Sequence, residues 1–129
     1  MEYEMFYVLV VDDEEDLCWV IRKALRPAGF AVKSANSGRQ ALAYLAKNNY
    51  KVAFVDVKIS DMDGFTLATL IHQHSPCTSI ILISGYYYQE DKNIVEGLKN
   101  NLFSFIAKPF DLDDIRRLTR QAVESTNIG

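Results

Sequence analysis

Four apolar runs in this 129-residue chain stop on side chains that can hold or move charge. Phe6-Tyr7-Val8-Leu9-Val10-Val11 stops at Asp12 and Asp13, Val52-Ala53-Phe54-Val55 at Asp56, Ser79-Ile80-Ile81-Leu82-Ile83 at Ser84, and the run from Leu102 to Ala107 at Lys108. Carboxylates gathered in one place repel, and each raises the pKa of the others unless a cation neutralises them. A few carboxylates, completed by water, suit magnesium. Calcium takes more protein oxygens, and zinc prefers His or Cys. Phosphate oxygens commonly fill the remaining positions around such a magnesium ion. Lys108 offers a positive charge and Ser84 a hydroxyl donor, both suited to the three charged oxygens of a phosphoryl group in transit. Asp56 is then a plausible nucleophile, since a carboxylate can form an acyl phosphate.

Each residue also has an ordinary role. An Asp at a strand end often caps a helix or makes a turn, a serine there is a turn residue, and a lysine is solvated. Their joint arrival at the ends of separate strands argues against coincidence, because ligands of open parallel α/β sheets bind beyond the carboxyl ends of the strands.

The elements that must position them are legible in outline. Apolar runs and helical patterns alternate five times, with no Pro/Gly/Ser-rich linker between them, as in βαβ units around a parallel sheet. The first run is continuously apolar, as in a strand buried on both faces. Leu17, Val20, Ile21, Ala24 and Leu25 recur at helical spacing before Pro27 and Gly29 close the segment. Phe30 to Ala35 is less apolar and suits an edge strand. Ser37 followed by Gln40 resembles a capping box opening a helix with Leu42 and Leu45 that ends near Asn48 and Asn49. Phe65 to His74 forms a third helix with Leu67, Leu70 and Ile71 on one face, and a weaker fourth lies around Ile94, Val95 and Leu98. The last helix begins near Asp111 and turns Leu112, Ile115, Leu118 and Ala122 inward. Asp111, Asp113 and Asp114 sit at its positive N-terminal end.

Length, with 49% hydrophobic and 24% charged residues, fits one globular domain over 1–129, its core about 6–123 and 124–129 a tail or the start of a linker. A net charge of −3 argues against general affinity for nucleic acid or anionic membrane. No apolar run approaches the roughly 20 residues of a membrane span, so a cytoplasmic location is expected. Cys18 and Cys77 are too few and too far apart for a disulfide framework or a zinc pair, and both read as small semi-buried side chains. His72 and His74 lack a second metal-ligand pair and read as solvated or capping residues. Trp19 is expected to border the core face of the first helix.

From Phe6 to Val123 the chain resembles the CheY-like receiver domains of response regulators in two-component signalling. The resemblance is carried by Asp12-Asp13 in Val-Val-Asp-Asp-Glu-Glu-Asp, Asp56 in Phe-Val-Asp-Val-Lys-Ile-Ser-Asp-Met-Asp-Gly, Ser84, and Lys108 in Ala-Lys-Pro-Phe. It implies a doubly wound (βα)5 flavodoxin-like sandwich with strand order 2-1-3-4-5. It also implies Asp56 as phosphoacceptor, and Mg2+, or Mn2+ in its place, held by Asp13, Asp56 and the backbone carbonyl of Lys58, with Asp12 acting through water. Lys108 would pair with the phosphoryl group, and the Lys108-Pro109 bond would be cis. The switch would couple Ser84 to Phe105, changing a surface of the fourth helix, fifth strand and fifth helix.

The implied partners are a histidine kinase or phosphotransfer protein upstream and a downstream protein or output domain, with a homodimer on phosphorylation compatible with both. The chain would assist its own phosphorylation and slow dephosphorylation without turning over a separate substrate. Two rivals stand beside this reading. A receiver-like interaction module that signals without phosphorylation need not keep the full residue set. An aspartyl phosphatase of the haloacid-dehalogenase type favours a second Asp two positions after the nucleophile, where this chain has Lys58.

The chain departs from the family at Ile59-Ser60, where Met-Pro is common, so the loop lacks a fixed proline dihedral. Gly85 keeps a small residue after the hydroxyl, leaving access to Asp56. Tyr86-Tyr87-Tyr88 suits either packing or an output surface. Lys58 and Tyr86 occupy the two positions that, by resemblance, tune attack of water on an acyl phosphate, although the Lys58 side chain can equally point to solvent. If the Tyr86 ring shields the phosphoryl group, Tyr86→Ala should lose phosphate faster than the parent in a dephosphorylation time course; an unchanged rate refutes the shield.

Overall fold

The structure is a computed structural model that describes residues 6–85 and 102–128. Five parallel strands form one sheet in the order β2-β1-β3-β4-β5: β1 (Phe6–Val11), β2 (Phe30–Ala35), β3 (Val52–Asp56), β4 (Ser79–Ser84) and β5 (Leu102–Ala107). The strand order implied by the resemblance is the one observed, and Phe30–Ala35 takes the expected edge. Helices α1 (Glu15–Leu25), α2 (Gly38–Lys47) and α3 (Gly64–His74) and a C-terminal helix (Leu112–Ile128) cover the two faces. The expected helix around Ile94, Val95 and Leu98, with Tyr86, Tyr87 and Tyr88, lies outside the described residues.

The central strands are apolar at every position because both faces are covered. Along β1, Val8 and Val10 join Cys18, Ile21, Ala24 and Leu25 of α1 and Ile115, Leu118 and Ala122 of the C-terminal helix. Leu9 and Val11 face the other way, into a cluster with Ala41 of α2 and Phe65, Leu67, Ala68 and Ile71 of α3. Period-2 alternation thus divides one strand between two cores. The Nε of Arg116 donates to the carbonyl of Ala24 at 3.0 Å, tying the C-terminal helix to the last turn of α1.

Helix starts follow the signals in the sequence. Ser37 caps α2 by accepting from the Gln40 amide at 3.1 Å. The reciprocal bond runs from the Asn36 amide to Gln40 Oε1 at 2.8 Å, one residue earlier than an ideal capping box. Asp111 accepts from the Asp114 amide at 2.9 Å. The 3-10 turn Arg26–Ala28 ends on Gly29 at φ 94°, a left-handed conformation suited to glycine.

The C-terminal helix continues past Val123 to Ile128. Two expectations need correction. Trp19 is 57% exposed beneath the Lys23 ammonium, because Cys18, one position back along the helix, takes the inward place. Of the two cysteines, Cys18 is buried and Cys77 exposed.

Gly64 opens α3 against the end of β3. A Cβ there would come within 2.4 Å of the Asp56 carbonyl oxygen and 2.6 Å of the Val57 Cα, both backbone atoms. Gly64→Ala should therefore destabilise the protein by about 2 kcal/mol in denaturant unfolding, as overpacking against rigid neighbours does; a loss below about 0.5 kcal/mol would show that the turn relaxes freely.

Candidate functional site at the carboxyl ends of the strands

Sheet register brings the acids together. Val11 lies opposite Val55, so Asp12 and Asp56, each one residue further on, lie side by side on adjacent strands. Asp56 is opposite Ile83, and Ser84 is opposite Ala107. Backbone bonds continue past the strand ends: the Asp12 amide donates to the Ala35 carbonyl at 3.0 Å, Val57 to Ile83 at 2.9 Å, and Lys108 to Ser84 at 2.9 Å. The four strand ends are therefore fixed to one another. The Lys108-Pro109 peptide is cis, as the resemblance implies.

Lys108 is the cation of the cluster. Its Nζ donates to Asp56 Oδ2 at 2.8 Å and lies 3.8 Å from Asp12 Oδ2 and 3.9 Å from Glu14 Oε2. Burial alone would lower its pKa, but the hydrogen bond to Asp56 and the charges of Asp56, Asp12 and Glu14 outweigh burial and raise it. Asp56 Oδ1 accepts from the Lys58 amide at 2.8 Å, so both oxygens of this nearly buried carboxylate are engaged.

Asp12 is less well served. Its Oδ1 accepts from the Glu14 amide at 2.8 Å, while Oδ2 is buried and, as a carboxylate oxygen, has no hydrogen-bond partner. Its pKa is pushed up to about 7, first by burial, then by a contact with Asp56 that favours a shared proton, and by the charge of Asp56; the Glu14 amide and Lys108 oppose the rise. Two acids and one lysine leave an excess of negative charge in a dry place, and a cation relieves it as a shared proton does. An orphaned buried carboxylate oxygen beside a second carboxylate is the donor chemistry of a hard divalent ion, so these residues fit magnesium.

The expected convergence of three carboxylates is only partly realised. Asp13 is exposed at the rim, and among the described residues no group of three His, Cys, Asp or Glu side chains is gathered closely enough to hold a metal ion alone. Asp12 takes the place beside Asp56, because it directly continues the β1–β3 register, whereas Asp13 lies in the bend one residue further on. Ser84 is buried at the end of β4, and Lys58 is exposed. Phe105 is half-buried on the same sheet face as Ser84, its ring centroid 6.4 Å from that of Phe65. Tyr86 lies outside the described residues.

The sequence reading missed the loop after Asp56. The Gly64 amide donates to Val57 at 2.9 Å, Lys58 and Asp63 form an isolated antiparallel bridge, and Ile59 is buried. Asp63 caps α3 through the Phe65 amide at 2.9 Å. Its signal was available in the sequence, an Asp just before an apolar-periodic segment. Asp61 accepts from the amides of Gly38 at 2.9 Å and Arg39 at 3.1 Å, and these bonds lower its pKa. No local pattern announces a contact between residues so far apart. The loop lacks proline, yet it is held at both ends and in the middle.

The response regulator receiver domain profile matches residues 8–120, and the chain belongs to that family. Domains of this family act in two-component phospho-signalling and typically bind Mg2+ at the phosphorylation site. Among its relatives, the chain is 30% identical over 128 residues to the transcriptional regulatory protein ZraR of Escherichia coli O157:H7, covering 99% of this chain and 29% of ZraR. It is 34% identical over 123 residues to the putative response regulator NtrX-like of Rickettsia bellii, covering 94% and 25%. The chain thus spans 29% and 25% of the length of these two curated relatives. The solved chemotaxis response regulator CheY4 of Vibrio cholerae superposes with a TM-score of 0.82 at 25% identity, over 92% of this chain and 99% of that one. No described helix is long and apolar enough to cross a membrane.

The unserved Asp12 oxygen has a measurable consequence. An acid whose folded pKa is raised from 3.8 to about 7 holds its proton more tightly in the native state, so its contribution is most favourable at low pH and is lost as pH rises through that window. Asp12→Asn, whose amide can donate to Asp56, should stabilise the metal-free protein by about 2 kcal/mol at pH 8 and by little at pH 4. Thermal unfolding with a chelator present checks this, and an equal gain at both pH values would remove the charge argument.

Proposed function

We propose that the chain is a phosphorylation switch in which Asp56 accepts a phosphoryl group from a histidine kinase or phosphotransfer protein. The observation that carries this reading is the 2.8 Å contact of Lys108 with Asp56, beside the orphaned oxygen of Asp12. An oxygen of Asp56 bonds to phosphorus as the donor's phosphorus–nitrogen bond, or phosphorus–oxygen bond for a small acyl phosphate, breaks. A displaced imidazole nitrogen keeps the bonding electrons and takes up a proton, and a displaced carboxylate leaves with them as the anion. Lys108, already paired with Asp56, follows the negative charge onto the phosphoryl oxygens, and the Ser84 hydroxyl donates to one of them.

Asp12, Asp13, Asp56 and the Lys58 carbonyl would hold magnesium, which when bound supplies positive charge between the acids and the phosphoryl oxygens. Asp13, exposed at the rim, and Asp56 are the direct carboxylate ligands in this proposal, with Asp12 acting through water. Lys58 and Tyr86 tune the lifetime of the acyl phosphate.

Sheet geometry supports a route for the output. Ser84 and Phe105 share a face, so movement of the hydroxyl toward phosphate vacates space that the Phe105 ring can enter. The surface altered is that of the fourth helix, β5 and the C-terminal helix, read by a downstream protein, an output domain or a second copy. The retained residue set speaks against a phosphorylation-independent module. Lys58 two positions after Asp56 speaks against a haloacid-dehalogenase-type phosphatase.

Intact-mass measurement after incubation with acetyl phosphate tests the proposal. The parent should gain one phosphoryl group only with Mg2+ present, Asp56→Asn should gain none, and Lys108→Ala should react about 10²-fold more slowly, as expected for loss of one charge-stabilising donor. No magnesium-dependent gain in the parent would overturn it.

A further inference from the structure

The loop that follows Asp56 is joined to a helix that takes no part in the chemistry. Asp61 spans the gap with both carboxylate oxygens, Oδ1 on the Gly38 amide and Oδ2 on the Arg39 amide. These are donors of the first turn of α2, which an α-helix leaves without internal partners. The neighbouring residue adds an apolar contact: Met62 lies so close over Gly38 that a Cβ on that glycine would fall 2.5 Å from its sulfur. Ser37 and Gln40 hold the same turn of α2 from within. The loop is therefore fastened to a pre-capped helix end by a two-point polar bond and one packing contact.

We infer that Asp61 is a positioning residue for the phosphorylation site: by clasping the loop to the first turn of α2, it fixes the backbone between Asp56 and Asp63, including the Lys58 carbonyl. The inference rests on the proposed magnesium-assisted phosphorylation of Asp56 for its functional consequence. Its structural content stands apart from that reading. In this chain Ile59-Ser60 supplies no proline dihedral, and the clasp supplies a restraint from outside the loop. The isolated Lys58–Asp63 bridge then closes the loop on itself while Asp61 holds its tip. A change at this carboxylate acts on the site through backbone placement and not by touching phosphate or metal.

Three measurements on the full chain test this with Asp61→Ala and with Asp61→Asn, which retains one oxygen acceptor. Amide hydrogen exchange of the metal-free proteins should rise about fivefold in Asp61→Ala, the usual scale of a lost helix cap, in two separate stretches, 36–42 and 57–63. Exchange in β1 and in the C-terminal helix should stay unchanged, and Asp61→Asn should fall between. Mg2+ affinity should weaken about tenfold in Asp61→Ala, the low end for loss of a residue that orients ligands, while phosphorylation by acetyl phosphate at saturating Mg2+ stays near the parent rate. Faster exchange in 36–42 alone, with Mg2+ affinity intact, would reduce Asp61 to a helix cap and overturn the inference. If the parent itself binds no Mg2+ and takes up no phosphate, the functional reading fails, and the exchange in 57–63 still decides for or against the clasp. Should Asp61→Ala not fold, the same comparison is made with Asp61→Asn.

Discussion

The structure turns on two carboxylates that a parallel sheet forces to be neighbours. Asp12 and Asp56 follow paired residues of β1 and β3, and because each strand buries both faces, neither strand can slip by one residue without carrying its apolar set to the wrong core. The charge pair is therefore imposed by packing. What remains adjustable is what neutralises it, and among the described residues the cation at the site is Lys108, its side chain 28% exposed. The protein has built a place where negative charge is in excess by design of its register, and where arrival of a metal ion or departure of a carboxylate's charge is strongly felt.

Lys108 reaches Asp56 from two strands away. Strands lie about 4.8 Å apart, so its side chain crosses the end of β4 to get there. Ser84, buried at the end of that strand, is the residue it passes, and the Lys108 amide donates to the Ser84 carbonyl at 2.9 Å. At Gly85 a Cβ would meet no described atom within 4 Å, so no described neighbour demands a glycine there. The hydroxyl and the lysine thus reach the site from adjacent, paired strands.

How much of this could be read from the sequence depended on how local the cause was. Continuous apolar runs revealed the central strands, and their abrupt ends named Asp12, Asp56, Ser84 and Lys108, because burial and strand length act residue by residue. Periodicity placed α1 but misplaced Trp19, since a helical wheel allows either Cys18 or Trp19 near the boundary and only packing against β2 and the C-terminal helix selects the smaller. Asp12 and Asp13 could not be told apart by type; Asp12 continues the β1 register directly and Asp13 lies in the bend after it. The Asp61 contacts with Gly38 and Arg39 join residues separated by 23 and 22 positions, and nothing in either segment specifies the other.

A link from this charged corner to the surface runs along one face of the sheet. Ser84 and Phe105 have the same parity in the β4–β5 register, with Leu82 opposite Phe105 and Ser84 opposite Ala107. Phe105 packs toward Phe65, whose amide is held by Asp63 and whose helix starts at Gly64, directly against the Asp56 backbone. The chain from Asp56 through Gly64 and Phe65 to Phe105 therefore consists of one backbone contact that tolerates no side chain and one pair of rings. The first is rigid because both partners are backbone. The second is deformable, because a half-buried ring can exchange one environment for another at modest energetic cost. In the proposed switch, a displacement originating at Asp56 would pass the rigid contact and be taken up at the rings, which would make Phe105, on the strand that borders the proposed output surface, the compliant element.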